Sequence, residues 1–445
     1  MSQIKITKEY KKYPKYKDSG IVWLGQIPEE WRTEKVKFLG KTLAGGTPET
    51  ENKEYWEGGK IPWLPSGAVQ NSTIDTNEAE KFITELGLKE SATKEIKANS
   101  VLIALTGATC ANVGYLTFDA TANQSVVAIH NYKDVVDSKF LYYSFLANRE
   151  QFLVYKTGGA QSGINEQDVK NIFNSVPALT VQEKIAEYLD DKTGLIDKII
   201  EKKQQLLELL AEKRKVLISD AVTGKVRIND KLESTKTPAS DLRDSGIPWL
   251  GQIPRDWKVE KLKYLSPIRN TKIEKKDDTR YIGLENVESE TGRIIDVNDN
   301  QEVESIVNVF KTGDVLFGKL RPYLAKVFQA EYDGVCTGEL LVLKQKNDKI
   351  IGKYLFYRLL EQGFIKIVND STYGSKMPRA NWEFIGNLNF SFSDVSIQKI
   401  IVKFLDKKIT ELNELNSAIN NSINLLQEYK ISLISNAVTG KIHIC

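Results

Sequence analysis

The chain of 445 residues repeats itself, and this repeat constrains its fold more than any other feature. A phrase at residues 18–31 returns at residues 244–257, with 11 of its 14 positions identical. A second phrase closes each half, at residues 217–228 and again at residues 433–444. The chain is therefore an internal dimer, and we expect an approximate two-fold relation between its halves.

Length and composition indicate a globular protein with an even number of domains. The chain is too long for one ordinary hydrophobic core, and the repeat favours two similar parts. Hydrophobic residues make up 41% of it and charged residues 27%, which excludes wholesale disorder. Because 62 cationic side chains are offset by 59 anionic ones, any basic surface must be local.

The sequence lacks the signals of a secreted, membrane or metal-binding protein. Its N-terminal segment contains no apolar signal region, and no run approaches the roughly 18 apolar residues of a membrane span. Cys110, Cys336 and Cys445 are far apart and odd in number, so they predict neither a disulfide framework nor a thiolate site. Since His130 and His443 are the only histidines, we predict no bound metal, and we expect a cytoplasmic protein.

Each half is predicted to fold as a mixed α/β (α+β) domain followed by one long helix. Short apolar runs bounded by Gly and Pro, such as residues 61–65 and 101–105, predict strands and tight turns. An apolar helical pattern follows at residues 138–155 and, in the second half, at residues 353–368. The predicted divisions are 1–178 for an N-terminal arm and the first domain, 179–228 for the first long helix, 229–243 for a linker, 244–394 for the second domain and 395–445 for the second long helix.

Both long helices carry a heptad pattern, which is typical of helices that pack along one seam. Apolar residues recur every seven positions, and Lys203 interrupts the series of the first helix. The predicted seam residues are Leu189, Ile196, Leu210, Leu217, Leu405, Leu412, Ile419, Leu426 and Leu433. The predicted adjoining row consists of Ile185, Ile199, Leu206, Ile401 and Leu415. Since neither helix can bury its stripe alone, we predict that the two pack on each other, antiparallel if the halves obey a two-fold relation.

Several phrases closely resemble those of the specificity (S) subunit of type I restriction-modification enzymes, and the resemblance covers almost the whole chain. Trp-Leu-Gly-Gln-Ile-Pro precedes each variable domain, at residues 23–28, with the same six residues at 249–254. Further phrases that look like those of the family's target recognition domains are Gly45–Pro48, Tyr55–Trp56, Ile61–Trp63, Tyr281–Asn286 and Gly318–Tyr323.

The resemblance implies two tandem target recognition domains joined by two long antiparallel coiled-coil helices, with internal pseudo-two-fold symmetry. Each domain would read one half of a bipartite target in double-stranded DNA, and the helices would set the gap. The resemblance also implies docking of two methyltransferase (M) subunits, which methylate adenine N6 with S-adenosylmethionine, and of restriction (R) subunits, which use ATP and Mg²⁺. We expect no cofactor on this chain itself.

No catalytic centre is predicted within the chain. Residues 313–319 have the spacing of a phosphate loop, but Leu320 stands where a Ser or Thr is required, so we predict a strand and a turn. The Asn/Asp-Pro-Pro-Tyr/Phe segment that an adenine methyltransferase needs is absent from the sequence. Triplets of Glu and Lys type at residues 51–53 and 95–97 are too common in so charged a chain to indicate a nuclease.

Candidate DNA contacts are polar residues in Gly- or Pro-marked loops, because cations bind phosphates and planar polar side chains read base edges. In the first domain they are Thr106, Thr109, Asn112, Gln161, Ser162 and Asn165. In the second domain they are Arg269, Lys272, Lys319, Arg321, Lys376 and Arg379. Since Arg favours guanine, we expect a guanine in the second half-site rather than the first. Lysines and tyrosines interleaved at residues 5–17 form a further candidate for phosphate contact.

The repeated phrases are expected to build the frame rather than to read DNA. A segment retained in both halves cannot distinguish two different target sequences, so we predict packing roles for Trp31 and Trp257. Gly224 and Gly440 are suited to ending the long helices in a left-handed cap. Two alternatives stay open at this point, a coiled-coil adaptor that joins proteins without binding DNA and an autonomous nuclease or methyltransferase.

Overall fold

The computed structural model describes residues 11–132, 134–156, 163–275, 279–295, 306–345 and 348–444. The chain divides into two units: unit 1 consists of Met1–Lys203 with Asn421–Cys445, and unit 2 consists of Gln204–Asn420. Each unit thus contains one globular domain together with a part of each long helix. Within the described ranges, no helix is both long and apolar enough to cross a bilayer.

Unit 1 is a mixed α/β domain with helical segments attached. Its strands are β1 Tyr16–Asp18, β2 Gln26–Pro28, β3 Arg32–Lys35, β4 Gly40–Ala44, β5 Ile61–Leu64, β6 Ser72–Ile74, β7 Lys81–Ile83, β8 Val101–Ala104, β9 Val113–Leu116, β10 Thr121–Ala122, β11 Val126–Asn131 and β12 Phe173–Val176. Its helices are α1 Glu85–Lys89, α2 Ser138–Ala147, α3 Arg149–Val154, α4 Glu166–Asn171 and the first part of α5, which spans Leu179–Thr223.

Unit 2 is built from the same kinds of element. Its strands are β13 Val226–Ile228, β14 Ser234–Lys236, β15 Leu242–Asp244, β16 Gln252–Pro254, β17 Lys258–Lys261, β18 Lys272–Glu274, β19 Tyr281–Ile282, β20 Ile306–Phe310, β21 Val315–Gly318, β22 Val327–Gln329, β23 Gly334–Cys336, β24 Leu340–Leu343 and β25 Asn389–Phe392. Its helices are α6 Leu262–Leu265, α7 Gly352–Leu359, α8 Gln362–Asp370, α9 Trp382–Asn387, the last part of α5 and the first part of α10, which spans Val395–Val438.

Three antiparallel strands form a common centre in both units. In unit 1 they are β11, β8 and β9, within a five-stranded sheet of order β4-β11-β8-β9-β6. In unit 2 they are β24, β21 and β22. All four residues of β8 and of β21 are buried, as their continuous apolar runs require. The strand predicted within residues 313–319 is thereby confirmed.

Local structure differs from the sequence patterns in the two helices that follow the sheets and in the segment between the two halves. The helix predicted at residues 138–155 divides into α2 and α3 at Asn148, whose buried side chain donates to Asn174 Oδ1 at 3.0 Å. The helix predicted at residues 353–368 divides into α7 and α8, where Glu361 caps α8. Residues 229–243, predicted to be a linker, hold β14 and the start of β15, which pair with β13 and β16. At the last two places polar side chains bond the backbone locally, since Glu361 and Asn229 each accept hydrogen bonds from two nearby amides.

The long helices run antiparallel within each unit, as predicted. In unit 1, Asp197 of α5 pairs with Lys430 of α10 at 2.7 Å, and Ser175, just before α5, donates to the carbonyl of Val438 at 2.6 Å. In unit 2, Arg214 near the end of α5 donates to Asn413 near the start of α10 at 2.9 Å. The beginning of one helix therefore lies beside the end of the other.

The seam uses the predicted heptad positions together with positions four residues after them. Seven of the nine predicted heptad residues are buried, and Leu217 and Leu426 are half-buried. Ile200, Ile409 and Ile423, each four residues after a heptad residue, are buried, and so are the predicted Ile185 and Ile401, each four residues before one. The placement of Ile199, Leu206 and Leu415 in the adjoining row was wrong, because they are 36%, 41% and 44% exposed. When the heptad leucines occupy position d, the next seam position follows after four residues rather than three.

The repeated phrases pack against each other inside each unit. Gly440, at φ +72°, is so close to Pro28 that a Cβ atom would lie 2.4 Å from its Cδ. Gly224, at φ +75°, has the same relation to Pro254, at 2.4 Å from Cγ. Trp31 and Trp257 complete these joints and are 2% and 5% exposed. In each unit the opening phrase of one half therefore packs on the closing phrase of the other half.

Equivalent hydrogen bonds attach each domain to its long helix. The Tyr143 hydroxyl donates to Asp190 of α5 at 2.7 Å, and the Tyr357 hydroxyl donates to Asp406 of α10 at 2.6 Å. Burial raises the pKa of both phenols, and the adjacent carboxylates raise it further. The repeat thus preserves the contacts that position each domain.

Candidate nucleic-acid interface

The loops singled out in the two halves lie at equivalent places in the two units. In unit 1, the chain leaving β8 forms an antiparallel bridge between Thr106 and Gly163, just before α4. In unit 2, the chain leaving β21 forms the same bridge between Leu320 and Arg379, just before α9. A neighbouring backbone hydrogen bond of 2.9 Å accompanies each bridge. We call these sites loop pair 1 (residues 105–112 with 163–165) and loop pair 2 (residues 319–325 with 373–381).

Loop pair 2 contains a strained turn that is held in one shape. Arg321 and Ala325 adopt φ +50° and +45°, a left-handed conformation that costs a residue other than glycine about 1–2 kcal/mol. The Arg321 amide donates to Pro378 at 2.7 Å, and the Ala325 amide donates to Pro322 at 2.8 Å. The surrounding backbone therefore stabilises a conformation that the isolated segment would avoid, a pattern that clusters at functional sites.

Two of the predicted cations are engaged by carboxylates of the same unit. The Arg269 guanidinium binds Asp314 with two hydrogen bonds, of 2.8 and 3.1 Å, and the Asp314 side chain is only 4% exposed. The Arg379 Nε lies 3.2 Å from Glu339 Oε2, and this hydrogen bond raises the pKa of Arg379. Arg379 thus braces loop pair 2, whereas Arg269 braces the opposite end of β21, which Asp314 precedes.

The other predicted cations of the second domain are placed differently. Arg321 is exposed, and its Nη2 makes one long hydrogen bond, of 3.4 Å, to the carbonyl of Lys376. The Lys376 side chain is exposed, and Lys319 is half-buried at the start of loop pair 2. Lys272 is exposed on β18, which belongs to the four-stranded sheet and lies outside loop pair 2.

Loop pair 1 carries no charged side chain. Thr106 and Thr109 are half-buried around Gly107, which adopts φ +72°. Asn112 is only 8% exposed, since its amide donates to the Val69 carbonyl at 3.1 Å and accepts from a neighbouring amide. The structure therefore uses Asn112 to position the loop.

Asn165 serves as a helix cap in the structure. Its Oδ1 accepts from the amide of Asp168 at 3.0 Å at the start of α4, and Asn381 caps α9 by accepting from the amide of Glu383. The remaining candidates of the first domain, Gln161 and Ser162, lie outside the described residues. Among the described candidates of unit 1, Thr106 and Thr109 therefore remain as candidate DNA contacts.

Sequence reasoning missed three large side chains at loop pair 2. Tyr323, Tyr373 and Met377 are 50%, 64% and 53% exposed. Aromatic groups beside cations are typical of surfaces that contact bases and sugars. These three residues stand in the same Gly- and Pro-marked segments as the candidate cations, and this shared position is the signal for them in the sequence.

The described part of the N-terminal segment packs on the frame. The Tyr16 hydroxyl donates to the Gly440 carbonyl at 3.1 Å, and the Tyr13 ring lies against Trp31 and His443. Lys15 forms an exposed ion pair with Glu29 at 3.7 Å. The predicted phosphate contacts at residues 5–10 lie outside the described residues.

The groups available for chemistry are few. Across the described ranges, no cluster of three His, Cys, Asp or Glu residues has the arrangement of a metal site. Cys110 and Cys336 are buried, and burial raises the pKa of the Cys336 thiol to about 12. Such a thiol is protonated at neutral pH and is a poor nucleophile.

Comparisons with known proteins agree on one family. The family model of the type I restriction modification DNA specificity domain matches residues 28–209 and again residues 254–425. The MjaVIII specificity subunit of Methanocaldococcus jannaschii is 24% identical over 94% of each chain. The EcoR124I/EcoR124II specificity subunit of Escherichia coli is 29% identical, over 45% of this chain and 49% of that subunit. The match thus spans about half the length of the EcoR124I/EcoR124II subunit and nearly all of the MjaVIII subunit.

Solved structures show the same fold at low sequence identity. A chain from a structure of complex assembly and conformational transition in the type I R-M system has a TM-score of 0.64 and 14% identity, covering 93% of this chain and 98% of that chain. The HsdS subunit from Thermoanaerobacter tengcongensis has a TM-score of 0.50 and 14% identity, covering 94% and 98%. The mixed α/β domains with long helices are therefore a known architecture.

Proposed function

We propose that this chain, which belongs to the type I restriction modification DNA specificity family, selects the DNA sequence on which partner subunits act. The observation that carries the proposal is the equivalence of loop pairs 1 and 2. Two units of like construction present different side chains at the same structural position, and this arrangement suits the reading of two unlike half-sites. Unit 1 would bind one half of a bipartite target in double-stranded DNA, and unit 2 would bind the other.

The chain would supply sequence choice, and its partners would supply the chemistry. We propose that these partners are two methyltransferase subunits, which would bind S-adenosylmethionine, and restriction subunits, which would use ATP and Mg²⁺. The buried thiol of Cys336 supports this division, because burial raises its pKa to about 12 and a protonated thiol is a poor nucleophile.

We further propose that the long helices dock the methyltransferase subunits. Both units leave large apolar side chains of α5 and α10 uncovered, and such side chains favour burial against a partner. Those more than 40% exposed are Leu195, Leu425 and Ile431 in unit 1, and Leu206, Leu209, Val216 and Leu415 in unit 2. Replacing Leu209 and Leu425 by Glu should abolish co-purification with the methyltransferase subunit, whereas unchanged co-purification would refute this surface.

Mapping of methylated adenines tests the main proposal. Co-expression of the chain with its methyltransferase subunit should place N6-methyladenine in one bipartite sequence, and the methyltransferase subunit without this chain should lose that pattern. The purified chain alone, incubated with DNA, Mg²⁺ and S-adenosylmethionine, should yield no product. Product from the chain alone would show an autonomous enzyme. A complex that assembles but binds no DNA would show an adaptor.

Shortening the helices tests whether they set the gap. Residues 197–203 and 424–430 are facing heptads of unit 1, as the Asp197–Lys430 pair shows, and their joint deletion preserves the heptad register. The deletion removes about 10 Å of helix, so the gap between half-sites should shorten by about three base pairs at 3.4 Å each. The half-sites themselves should stay the same. An unchanged gap would contradict the proposal.

A further inference from the structure

We propose that Arg321 reads a guanine in the half-site bound by unit 2, an inference that rests on the proposed function. The guanidinium of arginine presents adjacent N–H donors in a planar fork, which matches the O6 and N7 acceptors of guanine in the major groove. Reading a base in this way requires an accessible guanidinium on a fixed backbone. Arg321 combines both properties.

The guanidinium of Arg321 is accessible, whereas those of the other two candidate arginines are occupied. Arg269 holds Asp314 through two hydrogen bonds, and Arg379 holds Glu339. Among the described residues, the side chain of Arg321 makes one hydrogen bond, of 3.4 Å to the Lys376 carbonyl, and most of its donors remain available. The three candidate lysines are point charges, which bind phosphates but do not present a planar fork.

Three backbone hydrogen bonds fix the turn that carries Arg321. The Arg321 amide donates to Pro378, and the Arg321 carbonyl accepts from Leu324 at 3.0 Å. At the far end of the turn, the Ala325 carbonyl accepts from the amide of Glu290 at 3.1 Å. Glu290 in turn forms an ion pair with Lys215 of α5 at 2.6 Å, within unit 2. A long side chain anchored on a rigid turn loses less conformational freedom when it binds.

The comparison with loop pair 1 makes the inference specific to one half-site. The bridges align Thr106 with Leu320, so Arg321 stands where unit 1 has Gly107, which also adopts a positive φ. Tyr323 stands where unit 1 has Thr109. Hydroxyl groups donate and accept, and they contact several bases without one preferred partner. We therefore assign the guanine to the half-site of unit 2 alone.

Selection from a pool of randomised duplexes tests this assignment. The complex of the full chain with its methyltransferase subunits is incubated with the pool, and the bound DNA is sequenced. The wild-type complex should accept guanine at one position of the unit 2 half-site, and Arg321→Ala should relax that position by about 10- to 100-fold. Arg321→Asn should relax it equally, because Asn tolerates the left-handed conformation but is too short to replace the fork. Preference at all other positions should stay unchanged.

Two control variants separate base reading from phosphate binding and from folding. Lys376→Ala should weaken binding to all sequences alike and lower the salt dependence of binding by about one counterion. Arg269→Met should lower thermal stability without changing base preference. The inference is overturned if both Arg321 variants keep every wild-type preference, or if they weaken all sequences equally. A wild-type complex that selects no sequence overturns the proposed function and this inference together, whereas selective wild-type binding with unchanged variants overturns the inference alone.

Discussion

The loop pairs and the frame, which consists of the two long helices and the repeated phrases at residues 18–31, 217–228, 244–257 and 433–444, differ in how far the repeat has been preserved. At the frame, Gln182 and Gln398 each donate through Nε2 to a carbonyl five residues earlier, at 2.8 and 2.7 Å, where the domain meets its long helix. At the loop pairs, an uncharged turn in unit 1 corresponds to a turn with Arg321 in unit 2. The contacts that position each domain are thus the same in both units, whereas the side chains of the loop pairs differ.

The repeat also diverges at the end of the central strands that lies away from the loop pairs. Lys97 pairs with Asp119 in unit 1 as Lys311 pairs with Asp333 in unit 2, at 2.9 and 2.8 Å. Only three residues after Lys97, however, Ser100 contacts His130, whereas the corresponding Asp314 binds Arg269. The preserved frame therefore ends at the central strands, and divergence begins at their ends.

The largest expected effect comes from the joints between repeated phrases. Trp31→Ala and Trp257→Ala should each lower the free energy of unfolding by about 3–5 kcal/mol, because each removes a buried aromatic ring. Urea denaturation measures the loss, and hydrogen exchange locates it in the unit that carries the variant. Trp31→Phe and Trp257→Phe are the controls and should retain part of the stability. A large loss of stability in one unit and none in the other would contradict the equivalence of the two joints.

The seam between the helices should respond somewhat less. Ile423→Ala in unit 1 and Ile409→Ala in unit 2 should each cost about 2–4 kcal/mol, because these side chains are 8% and 6% exposed. The matched variants Leu425→Ala and Leu415→Ala should change stability by no more than about 0.5 kcal/mol, since they are 62% and 44% exposed. Thermal unfolding of the four variants compares them directly. Equal losses at Ile423 and Leu425 would contradict the seam described above.

The smallest expected effect is at the buried tyrosines. Tyr143→Phe and Tyr357→Phe should each cost about 1–2 kcal/mol at neutral pH, because a hydrogen bond to a carboxylate is lost. Burial raises the pKa of both phenols above the usual value of about 10. Their contribution to stability is therefore complete below pH 10 and is lost as the pH rises above it.

Unfolding measured between pH 8 and pH 11.5 tests the sign of this dependence. Stability of the wild-type protein should fall above about pH 10, and the fall should be shallower in each Tyr→Phe variant. Tyr132→Phe, which alters a side chain that is 47% exposed, is the control and should keep the wild-type profile. A shallower profile in only one of the two variants would show that the tyrosines are not equivalent.

Much of the fold could be predicted because the patterns that encode it are local. Heptads predicted both long helices, and continuous apolar runs predicted buried strands such as β8 and β21. The second row of the seam was predicted correctly at Ile185 and Ile401 but not at Ile200, because apolar residues stand at both Ile199 and Ile200 and only the partner helix determines which is buried. Of the candidate contacts, Asn112 and Arg269 carried the right chemistry for DNA, but nothing in the sequence placed Val69 or Asp314 beside them.

The sequence by itself determined that the chain is two similar halves, with a shared frame and divergent domains, because a repeat of phrases is visible without coordinates. Tertiary structure alone decided which polar side chains remain available to a partner. Carboxylates from distant segments engage Arg269 and Arg379, whereas the strained turn after β21 leaves Arg321 exposed. Hydrogen bonds between segments that are far apart in the chain form only when folding brings those segments together, so they cannot be read from the order of residues.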